Sequence, residues 1–289
     1  MANPFTGLFV ATLTPFDGVG RLDPTVVSTH TAFLVEAGAR GICPCGTTGE
    51  FLYLSLAEKV RLYEEVCAAA NHRVPVIAGV WALTPREIAI LARAAEAAGA
   101  DAVFLPPPIY YPASDDVIVR HYAAVRESCG LPVFAYNIPA YAGNAITPEC
   151  LARLVERGIV AGIKDSSARS DHIARLVEQF GGTITVMAAS DSFATEGRKL
   201  GAHGFISALA NIWPAAFVRL WDGDEALQPA IDAVRSAVKK HGGIPALKEL
   251  ARLRGFDMGA SRLPYSDLSE EERQDLKTAF AHATEQGFT

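Results

Sequence analysis

The segment LPVFAYNIPAYAGNAITPECLARLVERGIVAGIKD, residues 131–165, contains two short apolar runs on either side of a helical pattern. The runs at 131–137 and 159–165 are rich in β-branched and small apolar residues, which is typical of strands buried on both faces. Between them, the stretch 147–158 begins with Thr-Pro, a helix cap followed by a favoured first residue, and ends on Gly. The segment therefore predicts a strand, a helix and a second, parallel strand.

The same alternation extends over the first 211 residues of the chain. Eight apolar runs are separated mostly by helical patterns, at residues 7–16, 41–45, 74–80, 101–107, 131–137, 159–165, 184–190 and 204–210. Eight such units fit an α/β fold of the closed (β/α)8 TIM barrel type. A doubly wound open sheet is the alternative, but TLTPFDGVG after the first run is not the glycine-rich phosphate turn that such a sheet normally carries.

Only helical patterns follow residue 211. They are PAAFVRLWDG, DEALQPAIDAVRSAVKKHG, PALKELARLRG and SEEERQDLKTAFAHATEQ. We therefore predict a catalytic barrel over residues 1–211 and a C-terminal helical extension over residues 212–289 that packs on the barrel.

The composition excludes several classes of protein. The 289 residues are 50% hydrophobic and 20% charged, which is ordinary for a globular domain, and no apolar run is long enough to cross a bilayer. The N-terminus lacks the pattern of a signal peptide. The net charge of −6 with scattered basic residues argues against nucleic-acid binding. Five cysteines, an odd number in a long chain, indicate reduced thiols and a cytoplasmic location.

Polar segments follow five of the predicted strands, where a barrel places its chemistry. They are CGTTGE (45–50), PPPIYYP (106–112), AYNIP (135–139), KDSS (164–167) and ASDS (189–192). Because the carboxyl ends of all barrel strands meet at one mouth, these segments predict one shared site.

Lys164 is the most informative residue among them. Lys164 comes at the end of a buried-strand pattern. The other six lysines lie within helical patterns, where we expect them to be solvated; they are at positions 59, 199, 239, 240, 248 and 277. Apolar surroundings favour a neutral amine over an ammonium ion, and a neutral amine can attack a carbonyl to form a Schiff base. The alternative is a structural lysine paired with Asp165 or Asp191.

Three further segments are candidates with open alternatives. The Gly46–Gly49 turn, GTTG, can hold a carboxylate with its hydroxyl and backbone N–H groups, or can be an ordinary strand-to-helix turn. Tyr136 can shuttle a proton when it lies beside an amine, or can be core packing. Tyr110 and Tyr111 come after three prolines at the predicted mouth. They are candidates for the site, or can pack at a surface or interface.

The sequence gives little support to metal-dependent or serine-nucleophile catalysis. The histidines form no H-x-H or H-x₃-H pair, and Cys43-x-Cys45 has no second pair at zinc-ligand spacing. No G-x-S-x-G nucleophile elbow is present. The sequence therefore favours neither a metal site nor a serine nucleophile.

With these residues collected, the chain resembles the dihydrodipicolinate synthase / N-acetylneuraminate lyase family of class I, Schiff-base aldolases. The resemblance extends from about Phe9 to the end of the chain. It rests on LTPF (13–16), GTTGE (46–50), IYYP (109–112), YNIP (136–139), GIKDSS (162–167), SDS…GFIS (190–207) and RLPYSDLSEEE (262–272).

The resemblance implies a site and a partner. Lys164 condenses with the keto group of pyruvate or another 2-keto acid, and the Gly46 turn holds the carboxylate through Thr47 and Thr48, with help from the main chain near Ile206. Since the Schiff base is itself the electron sink, the family needs no cofactor.

The resemblance also implies a proton relay and an assembly. Tyr136 moves the proton for making or breaking the C3–C4 bond, and Thr47 and Tyr111 complete the relay. In many relatives the tyrosine at the Tyr111 position comes from a neighbouring subunit, which predicts a homo-oligomer, a dimer or a tetramer.

One departure bears on the substrate. Synthases of the family usually carry an arginine shortly after Y-N-x-P for the second substrate's carboxylate, and this chain has Tyr141 there. A phenol cannot replace a bidentate guanidinium, which disfavours dihydrodipicolinate synthase. Tyr141, with Asp191 and Ser192 as hydroxyl binders, is more similar to 2-keto-3-deoxy sugar acid aldolases. Dihydrodipicolinate synthase, N-acetylneuraminate lyase and dehydratase activities remain alternatives.

Two alternatives from other classes have less support. A silent barrel that only binds a keto acid conflicts with the intact set of Lys164, Tyr136 and Thr47. A phosphate-binding barrel would carry glycine-rich loops after its last two strands, and SDSFATEG and SALANIWP are not such loops.

Overall fold

The computed structural model describes residues 3–262 and 266–288, and within them the chain forms eight parallel strands. Each strand lies inside one of the eight predicted apolar runs. The strands are β1 (Gly7–Ala11), β2 (Gly41–Cys43), β3 (Ile77–Gly79), β4 (Ala102–Leu105), β5 (Val133–Asn137), β6 (Gly162–Asp165), β7 (Thr185–Ala189) and β8 (Gly204–Ser207).

The sheet closes into a barrel. Its strands pair in the order β2-β1-β8-β7-β6-β5-β4-β3, every pair parallel. A bridge between Ile42 and Val76 joins the two remaining edges, and Gly79 N–H donates to Pro44 O at 3.0 Å across the same seam. The predicted (β/α)8 barrel is therefore confirmed, and the open-sheet alternative is wrong.

Helices surround the barrel. They are α1 (Pro24–Glu36), α2 (Leu56–Ala70), α3 (Pro85–Ala97), α4 (Asp115–Ser128), α5 (Pro139–Ala142), α6 (Pro148–Glu156), α7 (Ser170–Phe180), α8 (Ala194–Lys199), α9 (Pro214–Asp222), α10 (Gln228–Lys240), α11 (Ile244–Leu253) and α12 (Glu270–Glu285). Thr147 caps α6 by accepting a hydrogen bond from the Cys150 N–H, and Pro148 is its first residue, as the Thr-Pro pair predicts.

The barrel interior is filled by aromatic side chains that need glycine opposite them. Phe9 and Phe134 are fully buried inside the barrel. A β-carbon on Gly41 would overlap the Phe9 ring, and one on Gly162 would overlap the Phe134 ring. Gly162 therefore leaves room for Phe134 two positions before Lys164, on the same inward-facing side of β6.

The last helices differ in what they contact. Helix α9 packs against β1 and α8, in the place of the eighth helix of the ring, whereas α10, α11 and α12 pack on one another. The boundary between residues 211 and 212 stays a prediction. Of the motif at residues 262–272, the positions 263–265 lie outside the described residues.

Candidate active site

Lys164 projects into the barrel near the carboxyl ends of the strands. Its residue is 4% exposed, and its Nζ lies 4.1 Å from the centroid of the Tyr136 ring and 5.2 Å from that of Phe104. Aromatic faces attract a cationic nitrogen without supplying a carboxylate. The amine is thus held by two rings in a largely apolar enclosure.

The two carboxylates considered as partners of Lys164 face other groups. Asp165, the next residue on β6, accepts hydrogen bonds from Asn137 Nδ2 at 2.6 Å and Ser167 N at 3.0 Å, and lies 3.2 Å from His172 Nε2. Burial raises the pKa of Asp165, but these hydrogen-bond partners together lower it below its usual value.

Asp191 has its own set of partners. Its carboxylate accepts hydrogen bonds from Ser207 Oγ at 2.5 Å and Arg235 Nη1 at 3.1 Å, and it is almost fully buried. Among residues 3–262 and 266–288, no ion pair involves Lys164. The alternative in which Lys164 pairs with Asp165 or Asp191 is therefore wrong.

The GTTGE turn brings a hydroxyl to the phenol. Thr47 Oγ1 lies 3.4 Å from Tyr136 Oη. The turn is closed by the Gly49 N–H, which donates to Gly46 O at 3.0 Å, and is tied to the first strand's loop by Thr14 Oγ1, which donates to Gly49 O at 2.7 Å. Thr47 and Thr48 are half-buried beside the mouth of the barrel.

Glu50 anchors this turn to the C-terminal helices, which the sequence did not reveal. It is buried with a φ of 56°, and its Oε1 lies 2.8 Å from Nζ of Lys248 on α11. Burial lowers the pKa of Lys248, against the opposing effect of Glu50. Lys248 was predicted to be solvated, and that prediction is wrong because its partner comes from a distant part of the chain.

Lys59 was also predicted to be solvated and is buried instead. Its Nζ donates to Trp81 O at 2.9 Å and lies between the rings of Phe51 and Trp81, at 5.9 and 5.8 Å from their centroids. Burial lowers its pKa. Lys59 is thus a second buried lysine without a carboxylate, but it has a carbonyl partner.

The loop after β4 presents two tyrosines outward. Tyr110 has a φ of 77°, and the Tyr111 N–H donates to Ile109 O at 3.0 Å, which makes a γ-turn, a strained local geometry. Asn144 holds this loop by donating to Pro108 O at 2.7 Å and to Tyr111 O at 2.9 Å. The Tyr111 side chain is nevertheless 75% exposed.

A cavity of about 480 Å³ opens at the barrel mouth. Three of the predicted residues, Thr47, Tyr136 and Tyr141, line it, and most of the remaining wall is apolar. Ile206 lies in the same interior cluster as Tyr136, and Gly46 is buried against Phe104. Lys164, whose Nζ lies against the Tyr136 ring, does not itself line the cavity, and neither do Thr48, Tyr111, Asp191 and Ser192.

The cavity also contains a residue that the sequence did not single out. Lys239, near the end of α10, lines it together with Gly242, Gly243 and Ile244 of the following turn and helix. A helical lysine at the surface carries no local signal of such a role, because only the packing of α10 on the barrel brings it to the mouth.

A buried lysine near the carboxyl end of the sixth strand of a (β/α)8 barrel, without a carboxylate partner among the described residues, is the arrangement expected of a Schiff-base lyase. The Dihydrodipicolinate synthetase family model matches residues 4–283, and the chain belongs to that family. It is accordingly a lyase of the pyruvate-dependent class I aldolase type, as predicted.

Similar proteins cover almost the whole chain. An uncharacterised DapA-like lyase of Halobacterium salinarum is 35% identical over 95% of this chain and 93% of the relative. A 4-hydroxy-tetrahydrodipicolinate synthase of Pelobacter propionicus is 33% identical over 94% and 96%. The structure of a catalytic lysine mutant of the sialic acid aldolase of Ruminococcus gnavus matches with a TM-score of 0.93, at 25% identity, over 100% of both chains.

The described part of the chain contains neither a membrane-spanning helix nor a metal-binding cluster. No helix there is long and apolar enough to span a membrane. No group of three or more His, Cys, Asp or Glu side chains in residues 3–262 and 266–288 is arranged to hold a metal ion.

Proposed function

We propose that this enzyme makes or breaks the C3–C4 bond of a 2-keto-3-deoxy sugar acid. Pyruvate and an aldehyde are the products of cleavage and the substrates of the reverse condensation. The observation that carries the proposal is the position of Lys164, which is buried, lies against the ring of Tyr136 and has no carboxylate partner in the part of the chain that the structure describes. No acid competes for the amine, so it is free to attack a ketone.

In the proposed reaction, Lys164 condenses with the keto carbon and releases water. The C4 hydroxyl loses its proton and becomes the aldehyde oxygen, while the iminium accepts the electron pair of the breaking C3–C4 bond and becomes an enamine. Protonation of the enamine at C3 and hydrolysis of the imine then release pyruvate and regenerate the lysine amine, and the reverse sequence makes the bond. Thr47 and Thr48 hold the keto acid's carboxylate, with the turn at Gly46 and the main chain near Ile206 on either side. Support comes from the closed GTTGE turn, which fixes the hydroxyl groups beside the cavity.

Tyr136 carries the proton in this scheme. Its phenol oxygen lies 3.4 Å from Thr47 Oγ1, which gives the proton of the substrate's C4 hydroxyl a path away from the breaking bond. Tyr111 is assigned the outer end of the relay in the site of a neighbouring subunit. Its 75% exposure and its absence from the lining of its own cavity support a homo-oligomer, a dimer or a tetramer.

The sugar acid is favoured by the residue at position 141. Tyr141 is 75% exposed at the cavity wall, where synthases of the family place an arginine. The exposed Ser192 remains a candidate for a substrate hydroxyl, whereas we assign Asp191 the anchoring of α10 through Arg235. The synthase activity is the second candidate, because a relative with that name is 33% identical. Five free, buried cysteines support a cytoplasmic location.

Borohydride reduction in the presence of pyruvate, followed by peptide mass analysis, tests the Schiff base. We expect the adduct on Lys164 and none in Lys164→Ala. Lys59 is a matched internal control, since it is equally buried but bonded to a carbonyl. An adduct on Lys59 or on no lysine would refute the aldolase mechanism.

Substrate comparison tests the finer proposal. We expect faster pyruvate release from 2-keto-3-deoxy sugar acids than from N-acetylneuraminate, and slow condensation of pyruvate with aspartate semialdehyde. Fast condensation with no sugar-acid cleavage would show that Tyr141 does not disfavour the synthase reaction.

A further inference from the structure

Lys239 is the one charged side chain among the described residues that line the cavity. The structure gives it no ion pair or hydrogen bond within residues 3–262 and 266–288, whereas the next residue, Lys240, has its Nζ 2.8 Å from Asp275. An exposed cation on a cavity wall that contains no acid is available to a ligand.

Helix α10 is held firmly at the position that presents Lys239. Arg235, one turn earlier on the same helical face, donates to the buried Asp191 carboxylate at 3.1 Å. At the start of the helix, Gln228 Nε2 donates to Asp191 O at 3.0 Å. Asp191 therefore holds α10 at two positions ahead of Lys239, at Gln228 and at Arg235.

The chain then reverses at the cavity wall. Gly242 and Gly243 have φ values of 82° and 72°, a region that suits glycine, and the Gly243 N–H donates to Val238 O at 2.9 Å. The turn ends α10 directly after Lys240, and Lys239 and Tyr141 both line the cavity. The cavity thus has a cation and a phenol but not the planar, bidentate guanidinium that synthases of the family supply.

We propose that Lys239 binds an anionic group, a phosphate or a carboxylate, on the aldehyde portion of the substrate. The inference rests on the proposed function, because it takes the keto acid carboxylate to lie at the Thr47 turn. It narrows the substrate class to 2-keto-3-deoxy sugar acids with a second anionic group at the end remote from the ketone. A lysine ammonium suits such a group as a compact point charge with three donors.

Aldehyde specificity in the condensation direction tests the proposal. The probes are glyceraldehyde, glyceraldehyde 3-phosphate and tartronate semialdehyde, which carry no anion, a phosphate and a carboxylate. We expect the enzyme to prefer one of the two anionic aldehydes, and which one it prefers distinguishes the phosphate from the carboxylate. Lys239→Met should lower kcat/KM for that aldehyde by roughly ten- to hundredfold and change glyceraldehyde by less than about twofold.

Two variants serve as controls. Lys239→Arg keeps the charge and should retain most of the preference. Lys240→Met removes a neighbouring lysine that pairs with Asp275 outside the cavity, and should behave as the unmodified enzyme does. Raising the ionic strength should weaken the preference in the unmodified enzyme and leave Lys239→Met unaffected.

Pyruvate trapping on Lys164 separates the two proposals. If the adduct forms but the enzyme prefers the uncharged aldehyde, or if Lys239→Met lowers all three reactions equally, the role of Lys239 is refuted and the aldolase mechanism stands. If no adduct forms, the proposed function fails, and the role assigned to Lys239 fails with it.

Discussion

Tyr136 and Lys164 are register partners on neighbouring strands, and the Lys164 nitrogen lies 4.1 Å from the centroid of the Tyr136 ring. Both side chains therefore point into the barrel at the same height. The pairing of β5 with β6, rather than any loop, sets the relation between the proposed nucleophile and the proposed proton carrier. A relation built on paired strands is less variable than one built on loops.

Tyr136→Phe tests this relation, because it keeps the ring and removes only the hydroxyl. We expect kcat for bond cleavage to fall by roughly a hundred- to ten-thousandfold, since proton transfer loses its carrier. Trapping of pyruvate on Lys164 should persist, because the ring that packs on the amine remains. Tyr63→Phe is the control: that phenol is buried but donates to Gly79 O outside the cavity. Equal loss of activity in both variants would argue against a proton-transfer role for Tyr136.

Subunit mixing tests whether Tyr111 acts in the neighbouring site. Lys164→Ala and Tyr111→Phe should each have little activity alone. In a mixed dimer, one site combines the intact Lys164 of one subunit with the intact Tyr111 of the other. With an isologous interface and random mixing, roughly a quarter of the sites become complete.

The measurement is activity after the two variants are unfolded and refolded together, compared with refolding each alone. Recovery of activity towards a quarter of that of the unmodified enzyme supports donation of Tyr111 from one subunit to the site of the other. No recovery, with mixed oligomers demonstrated by mass spectrometry, means that Tyr111 acts within its own chain or not at all.

Gly162→Ala tests how the interior supports Lys164. The added methyl would overlap the Phe134 ring, so we expect a loss of about 1–3 kcal/mol in the free energy of unfolding. Activity should fall as well, because Lys164 lies two positions further along the same face of β6. Urea unfolding and steady-state kinetics measure both effects.

Gly182→Ala is the matched control for this substitution, since a methyl there meets nothing within 4 Å. Adding Phe134→Leu to Gly162→Ala should restore part of the lost stability by vacating space. If the double variant loses as much free energy of unfolding as the two single variants together, or more, steric overlap is not the cause.

The sequence predicted the strands well because parallel barrel strands are buried on both faces and so form uninterrupted apolar runs. It also placed Lys164 at the mouth, since the residue closes such a run. Strand alternation then explains what the sequence left open: Lys164 points inward, and Asp165 points outward to Asn137 and His172. The two faces of one strand thus separate Lys164 from Asp165 and remove the ion pair between them.

The remaining errors concern residues whose partners are distant in sequence. Lys59 and Lys248 follow ordinary helical patterns, and only the folded chain brings them to Trp81 O and to Glu50. Lys239 is the converse case, a residue that is solvent-exposed as expected but lies at the cavity. Local patterns report the face of a helix and carry no information on which tertiary partner meets that face.

His30 provides a prediction for acid sensitivity outside the site. This residue of α1 is buried, and its Nε2 lies 2.9 Å from Asn211 O, so the neutral ring donates to that carbonyl. Burial lowers the pKa of His30 to about 4, with the hydrogen bond to Asn211 acting in the opposite direction. Asn211 in turn joins the first and last strands, because its side chain accepts from Leu13 N at 3.0 Å and donates to Ala11 O at 2.8 Å.

Because the pKa is lower in the folded than in the unfolded chain, the unfolded chain binds the extra proton first as the pH falls. The contribution of His30 to stability is therefore complete above about pH 6.5 and declines towards pH 4, by up to roughly 1.4 kcal/mol per pH unit. Urea unfolding at intervals from pH 7.5 to pH 4.5 measures the decline. His30→Gln keeps a donor for the Asn211 carbonyl but cannot titrate, so we expect it to lose stability less steeply than the unmodified protein below pH 6.5. The other histidines contribute equally to the pH dependence of both proteins and cancel in the difference. Parallel curves of unfolding free energy against pH would mean that His30 is protonated in the folded state over this range.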